Sequence, residues 1–240
     1  MNNETLRKIL TWLVFPVVIV VLVLLIVNSI MQPVRFNKEK AARESVAIQR
    51  MKDIRTLQVA YKGANNKFAA DMDSLILFYK EGDMSIIMQV GSSDDSAAVA
   101  ATDKAIKVIK SKARRISNAE INQKLYDMYK EGQTNLVFSV ETKIPVRDTL
   151  FNNRDNFCVD SLAFIPFSLG EKIEMEAVVK PVSGVNVPLF EARIPYKKLL
   201  KGMDNQLRIN LDAECRDRNR FEGLQVGSIS APNNNAGNWE

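Results

Sequence analysis

The pattern of apolar and polar positions opens with a long uncharged stretch. No charged residue occurs from Ile9 to Val34, and 17 of residues 9–31 are Leu, Ile, Val or Phe. As a helix these residues rise about 35 Å, enough for a hydrocarbon core of about 30 Å. The pattern predicts a transmembrane helix over residues 9–31, preceded by a short tail at residues 1–8. Thr11, Asn28 and Ser29 lie toward the ends, where polar groups cost least, and Trp12 sits where an interfacial aromatic anchor would. Pro16 is tolerable because membrane helices accommodate proline. Two rivals stand beside this reading. One is a buried helix of a soluble protein. The other is a cleaved signal sequence, with Val27 and Ser29 as small residues before a cut, although the stretch exceeds the usual apolar region of about 7–15 residues.

Beyond Pro33 the pattern becomes amphipathic. Ala47, Met51, Ile54, Leu57, Tyr61, Ala64 and Phe68 recur at spacings of three and four, which marks one helical face. This predicts a helix over residues 35–65. Its stripe requires a partner, which is either the protein's own domain or the same stripe (Ala47, Met51, Ile54, Leu57, Tyr61) on neighbouring protomers.

From residue 66 to 230 the texture predicts an α+β domain, with helices first and an antiparallel sheet later. Residues 71–81 read as a short helix ended by Gly82, and residues 91–96 as a loop. Residues 97–112 read as a helix, and a second follows Ser117, which with Glu120 fits a capping box. Residues 135–141, 173–180 and 187–194 alternate or are β-branched and read as strands, with a hairpin loop of longer type at residues 181–184 between the last two. Shorter strands are expected at 149–151 and 161–165, a helix at 204–219 and a final strand at 224–229. Residues 231–240 hold four asparagines, a proline and a glycine and are expected to form a loose tail.

Charge changes the picture by its placement. The formal net charge is +5. Residues 35–62 carry Arg35, Lys38, Lys40, Arg43, Arg50, Lys52, Arg55 and Lys62 against Glu39, Glu44 and Asp53, which is itself +5. Residues 63–240 are close to neutral, which argues against a nucleic-acid partner. A basic segment just after an apolar run suits anionic lipid or fixes topology. One further basic stretch, Lys104, Lys107, Lys110, Lys112, Arg114 and Arg115, reads as a solvated helix face or as a contact for an anionic surface.

Candidate chemistry is sparse. The chain has no histidine, which removes Ser/His/Asp and Cys/His catalysis and histidine-based metal motifs. Asp71 and Asp73 lack the spacing of a calcium loop. Asp212, Glu214, Asp217 and Glu222 interleave with Arg216, Arg218 and Arg220, which reads as a salt-bridged surface, with a calcium site as the alternative. No catalytic residue, cofactor or metal is assigned, and no enzyme activity is expected. Cys158 and Cys215 are either one disulfide in an oxidising compartment or two thiols.

The stretches Asn37-Lys-Glu-Lys-Ala41, Val46-Ala47-Ile48, Ile54, Leu57, Ala60-Tyr61 and Asn66-Lys-Phe68 together resemble the N-terminal region of type II secretion pseudopilins and type IV pilins. The resemblance covers roughly residues 9–80. It implies a membrane helix running into an amphipathic helix, with the large domain outside the inner membrane, in the periplasm. It also implies a structural or assembly role in a secretion or filament-type machine, with other subunits, including copies of itself, as partners alongside membrane lipid. The family's Tyr-Pro is Phe68-Ala69 here. Leu6-Arg7-Lys8 stands where the family has its Gly-Phe processing site, and no glutamate lies within the apolar run. Counting of basic residues favours the opposite topology, a membrane-tethered adaptor with a cytoplasmic domain. A tethered enzyme using carboxylates or lysines is the third reading. The periplasmic, pilin-like reading is the one carried forward.

Overall fold

A computed structural model of the chain describes residues 10–112, 115–155 and 157–240. The fold is α+β. A π-helical turn, Leu10–Val14, leads into helix α1, Phe15–Asn65. α1 is a single helix of 51 residues with Pro33 inside it. Proline there removes one backbone hydrogen bond, a tolerable loss in a helix this long, so the membrane helix read over residues 9–31 and the amphipathic helix read over 35–65 are continuous. The helix is long and apolar enough to cross a membrane, and the most apolar window is 0% buried. Asn66 adopts a left-handed conformation (φ 57°) and ends the helix, its N–H donating to the Lys62 carbonyl at 2.8 Å.

The chain forms two compact units, where one domain was expected over residues 66–230. The first comprises residues up to Gln58, Phe68–Asp73 and Cys158–Glu240; the second comprises Val59–Lys67 and Ser74–Phe157.

In the first unit, strands β3 (Glu174–Val182), β4 (Val185–Pro195) and β5 (Gly223–Gly227) form an antiparallel sheet in the order β3-β4-β5. Two short helices of the same chain segment, α6 (Tyr196–Leu199) and α7 (Asn205–Asp217), connect β4 to β5. The β3–β4 hairpin is tighter than expected. Val182 pairs with Val185, and Ser183 and Gly184 between them both have positive φ, 51° and 82°. That is a two-residue turn whose twist matches the strands. The central strand β4 buries residues on both faces, among them Leu189, Phe190, Ala192 and Ile194.

The core of this unit includes the α1 stripe. Ala47, Met51, Ile54 and Leu57 are each 0% exposed. The alternative in which these four face a neighbouring protomer is thereby corrected: the chain's own fold already excludes water from them. Residues 161–165, expected as a strand, form a 3-10 turn, Val159–Ala163, with one isolated bridge from Phe164 to Lys172. Residues 231–240 also depart from expectation. They fold back along β5, with Gly237 bridged to Val226, the Gly227 N–H donating to the Ala236 carbonyl at 3.0 Å and the Asn238 N–H to the Gln225 carbonyl at 3.0 Å. A strand edge is a row of unpaired donors and acceptors, and the tail satisfies part of that row.

In the second unit, α2 (Met72–Glu81) is followed by β1 (Asp83–Val90), α3 (Ser96–Lys112), α4 (Asn118–Lys130), β2 (Phe138–Pro145) and a helical turn α5 (Val146–Thr149). The turn replaces the strand expected at 149–151. β1 pairs antiparallel with β2, so strand and helix interleave instead of separating along the chain. The inner face of this ladder and the helices enclose Ala105, Ile109, Ile121, Leu125, Leu136, Phe138 and Val140. The capping box at Ser117 and Glu120 is formed as expected. Tyr61, the fifth member of the stripe, is half-buried here and meets the Phe78 ring edge-on at 5.1 Å.

Candidate functional site beside the apolar run

The first unit is fastened to α1 by polar contacts that begin where the apolar run ends. Gln32 donates to the Asp204 carboxylate at 2.6 Å. Three turns further on, Arg43 donates to the carbonyls of Leu199 at 3.2 Å and Lys201 at 3.0 Å, and pairs with Glu39 at 2.9 Å. Its guanidinium also lies over the Phe167 ring, 5.3 Å from the centroid. Tyr196 donates to the Glu44 carboxylate at 2.7 Å, and Lys40 reaches the same carboxylate at 3.5 Å. Arg50 donates to the Phe164 carbonyl, and Arg55 pairs with Glu240 at 2.7 Å.

Asp204 has two tasks. It accepts from the Leu207 N–H at 2.9 Å as the N-cap of α7, and it accepts from Gln32. The cap and then the Gln32 bond hold its carboxyl below the usual carboxylate range, so it is charged at neutral pH. At the other end of α7, Cys215 feels the charge of Lys40. α7 therefore starts at the end of the apolar run.

The loop between α6 and α7 lines an open groove of about 600 Å³, whose walls include Lys197, Lys198, Lys201, Arg208, Glu171 and Met203. Lys198 pairs with Glu174 at 2.8 Å, and its ammonium pKa is raised chiefly by that bond. Next to the groove, residues 165–171 form a closed loop. The Ile165 N–H donates to the Glu171 carbonyl at 2.7 Å, and Ser168, 1% exposed, turns inward to bond the Ile165 carbonyl at 2.7 Å. Phe167 and Leu169, both at φ 62°, are thereby turned outward, 52% and 92% exposed.

The residues singled out from sequence are scattered. Cys158 is exposed and Cys215 half-buried, and both are free thiols, which corrects the disulfide alternative. Burial, and then the carboxylates of Asp212 and Glu214, push the Cys215 thiol pKa up. Lys104, Lys107, Lys110 and Lys112 lie exposed on α3, opposite the buried Thr102, Ala105 and Ile109; Arg115 is exposed beyond it. Arg114 lies outside the described residues. The acid–base cluster on and after α7 pairs internally: Arg208 with Asp212, Arg216 with Glu222 at 2.8 Å and Arg218 with Glu214 at 2.7 Å. Among the described residues no group of three or more acidic or cysteine side chains could hold a metal ion.

The groove itself was missed. Its signal was present as the run Tyr196-Lys-Lys-Leu-Leu-Lys201, but only the Gln32–Asp204 contact gives that run a position. The chain matches no protein-family model, no curated protein and no solved structure.

Proposed function

We propose that this protein is a single-pass, membrane-anchored structural or assembly subunit of a cell-envelope machine, pilin- or pseudopilin-like, with its large domain on the periplasmic side of the inner membrane. One observation carries the reading. α1 passes without interruption from an exposed apolar run into the core of the first unit. Anchor and core are one helix, so the unit inherits the orientation of the anchor. A fixed pose suits a part that must be presented to other subunits; a tethered enzyme needs only a flexible linker. The resemblance of residues 9–80 to pseudopilins supports the same reading.

Because the stripe at Met51 and Ile54 is internal, contacts between protomers must use other positions. Val34 and Val46 are exposed apolar residues on α1, at 53% and 43%. Disulfide crosslinking of Val34→Cys and Val46→Cys in native membranes, with Cys158 and Cys215 replaced by serine, is expected to give dimers or higher species. Monomers only, in membranes at natural abundance, would overturn the assembly reading.

The second reading, a membrane-tethered adaptor with a cytoplasmic domain, is favoured by the net +5 of residues 35–62. Cys158 separates the two, because it is free and exposed. A membrane-impermeant maleimide labels it in intact spheroplasts if the domain is periplasmic, and only after lysis if it is cytoplasmic.

A further inference from the structure

We propose that the first unit rests on the membrane surface, with Phe167 and Leu169 entering the headgroup layer and the Lys197–Lys198–Lys201–Arg208 groove taking the phosphate of an anionic phospholipid. The inference rests on α1 being a membrane anchor and not on the subunit assembling with others.

Depth is the first argument. Gln32 is the residue next to the apolar run, and it holds Asp204 at 2.6 Å. Asp204 is three positions from Lys201 and four from Arg208. With residues 9–31 in the hydrocarbon, the groove starts at Asp204, at the level of the headgroup layer entered by Arg35 and Lys38 on α1, and extends up to Arg43, which holds the Lys201 carbonyl at 3.0 Å. Lipid phosphates occupy that layer.

Chemistry is the second argument. Basic residues at the surface attract anionic lipid, and the acids nearby leave part of this charge available. Glu171 stands 3.9 Å from Lys198 and 4.0 Å from Lys201, Glu174 pairs with Lys198 at 2.8 Å, and Asp212 pairs with Arg208. Lys197 is exposed, and Lys201, also exposed, meets a carboxylate only at that limiting distance.

The third argument is the apolar tip. Two large apolar side chains are turned outward by positive φ angles that non-glycine residues rarely adopt. The buried Ser168 hydroxyl and the Ile165–Glu171 bond hold the loop in that form. Glu171 at its base touches the groove lysines. An exposed apolar tip beside a basic groove, the tip held at Arg43 about three helical turns from the end of the apolar run and the groove reaching down from there to Asp204, matches a bilayer surface in polarity.

The test uses the full chain with Cys158 and Cys215 replaced by serine, reconstituted into vesicles of phosphatidylcholine with or without phosphatidylglycerol. An environment-sensitive fluorophore is placed at Leu169→Cys, and for comparison at Thr56→Cys, an exposed position on α1. Thr56 is about 36 Å along the helix from Gln32. The fluorophore at 169 is expected to emit to the blue and to be quenched by bromine on lipid chains; that at 56 should be quenched by aqueous iodide instead. Equal iodide quenching at both positions would overturn the proposal. In a second arm, native mass spectrometry of nanodisc-released protein counts retained phosphatidylglycerol. Lys197→Gln and Lys201→Gln, with helical content checked by circular dichroism, should lower retention about fivefold per lysine removed. Unchanged retention would overturn the headgroup site. Carbonate extraction tests the anchor separately: release of the wild-type protein would sink the membrane reading itself.

Discussion

Gln58 serves Ala69 as a strand neighbour would. Its side-chain amide donates to the Ala69 carbonyl and accepts from the Ala69 N–H, both at 2.9 Å, and Gln58 is fully buried. Ala69 belongs to the segment Phe68–Asp73, which rejoins the first unit after α1 has ended. Replacing Gln58 with Leu keeps the volume and strands two buried backbone groups. The expected cost is about 1–3 kcal/mol for each group left unpaired, read as a lower urea midpoint with unchanged slope for the detergent-solubilised full chain. A loss below about 0.5 kcal/mol would mean that water or a backbone shift replaces the pair.

The stripe on α1 is predicted to behave as core. Met51→Ala or Leu57→Ala should lower stability by about 2–5 kcal/mol, and Val46→Ala, at an exposed position, by no more than about 0.5 kcal/mol. The loss should not depend on protein concentration, because the cavity opens inside one chain. A loss that vanishes on dilution would return the stripe to an interface between protomers.

Tyr196 gives stability an alkaline limit. Burial, and then the hydrogen bond to the Glu44 carboxylate, raise its phenol pKa well above the ordinary value. In the unfolded chain the phenol ionises near pH ~10. The folded state therefore keeps a proton that the unfolded state releases, and the contribution is present below about pH 10 and lost as pH rises further. Tyr196→Phe should remove that part of the alkaline decline. At neutral pH it should cost about 1–3 kcal/mol, because Glu44 loses its donor and retains Lys40. Thermal unfolding between pH 7 and 11, wild type against variant, measures both effects; parallel curves would refute the assignment.

Deleting residues 231–240 is predicted to expose the outer edge of β5. The Gln225 N–H donates to the Asn238 side chain at 3.1 Å and the Gly227 N–H to the Ala236 carbonyl at 3.0 Å. Both amides should exchange with deuterium markedly faster in the truncated chain, while those of β4, paired on both sides near its end, should change little. Unaltered exchange at Gly227 would show that the tail adds no protection.

Local rules made several elements legible. The apolar run and the capping box at Ser117 each depend on residues close together in sequence, and each is where the pattern puts it; the hairpin before Val185 was legible too, although its turn is shorter than the loop expected at 181–184. The stripe from Ala47 to Leu57 was legible as a buried face, because helical spacing is a property of one segment. Its partner was not, since spacing says that a face must be covered and is silent about what covers it. The tail shows the same limit: residues 231–240 have the composition of a loose end, yet an unsatisfied strand edge holds them.

The sequence by itself determined that a long apolar helix precedes an α+β chain, that the positive charge gathers beside that helix, and that histidine chemistry is absent. Those properties follow from the order and kind of residues alone. Only the tertiary structure decided that two thiols stay apart and that the chain after α1 divides into two units. It also decided that the loop around Lys201 returns, through Asp204, to Gln32. Each of these turns on positions separated by tens to hundreds of residues, and such distances are set by how the whole core packs.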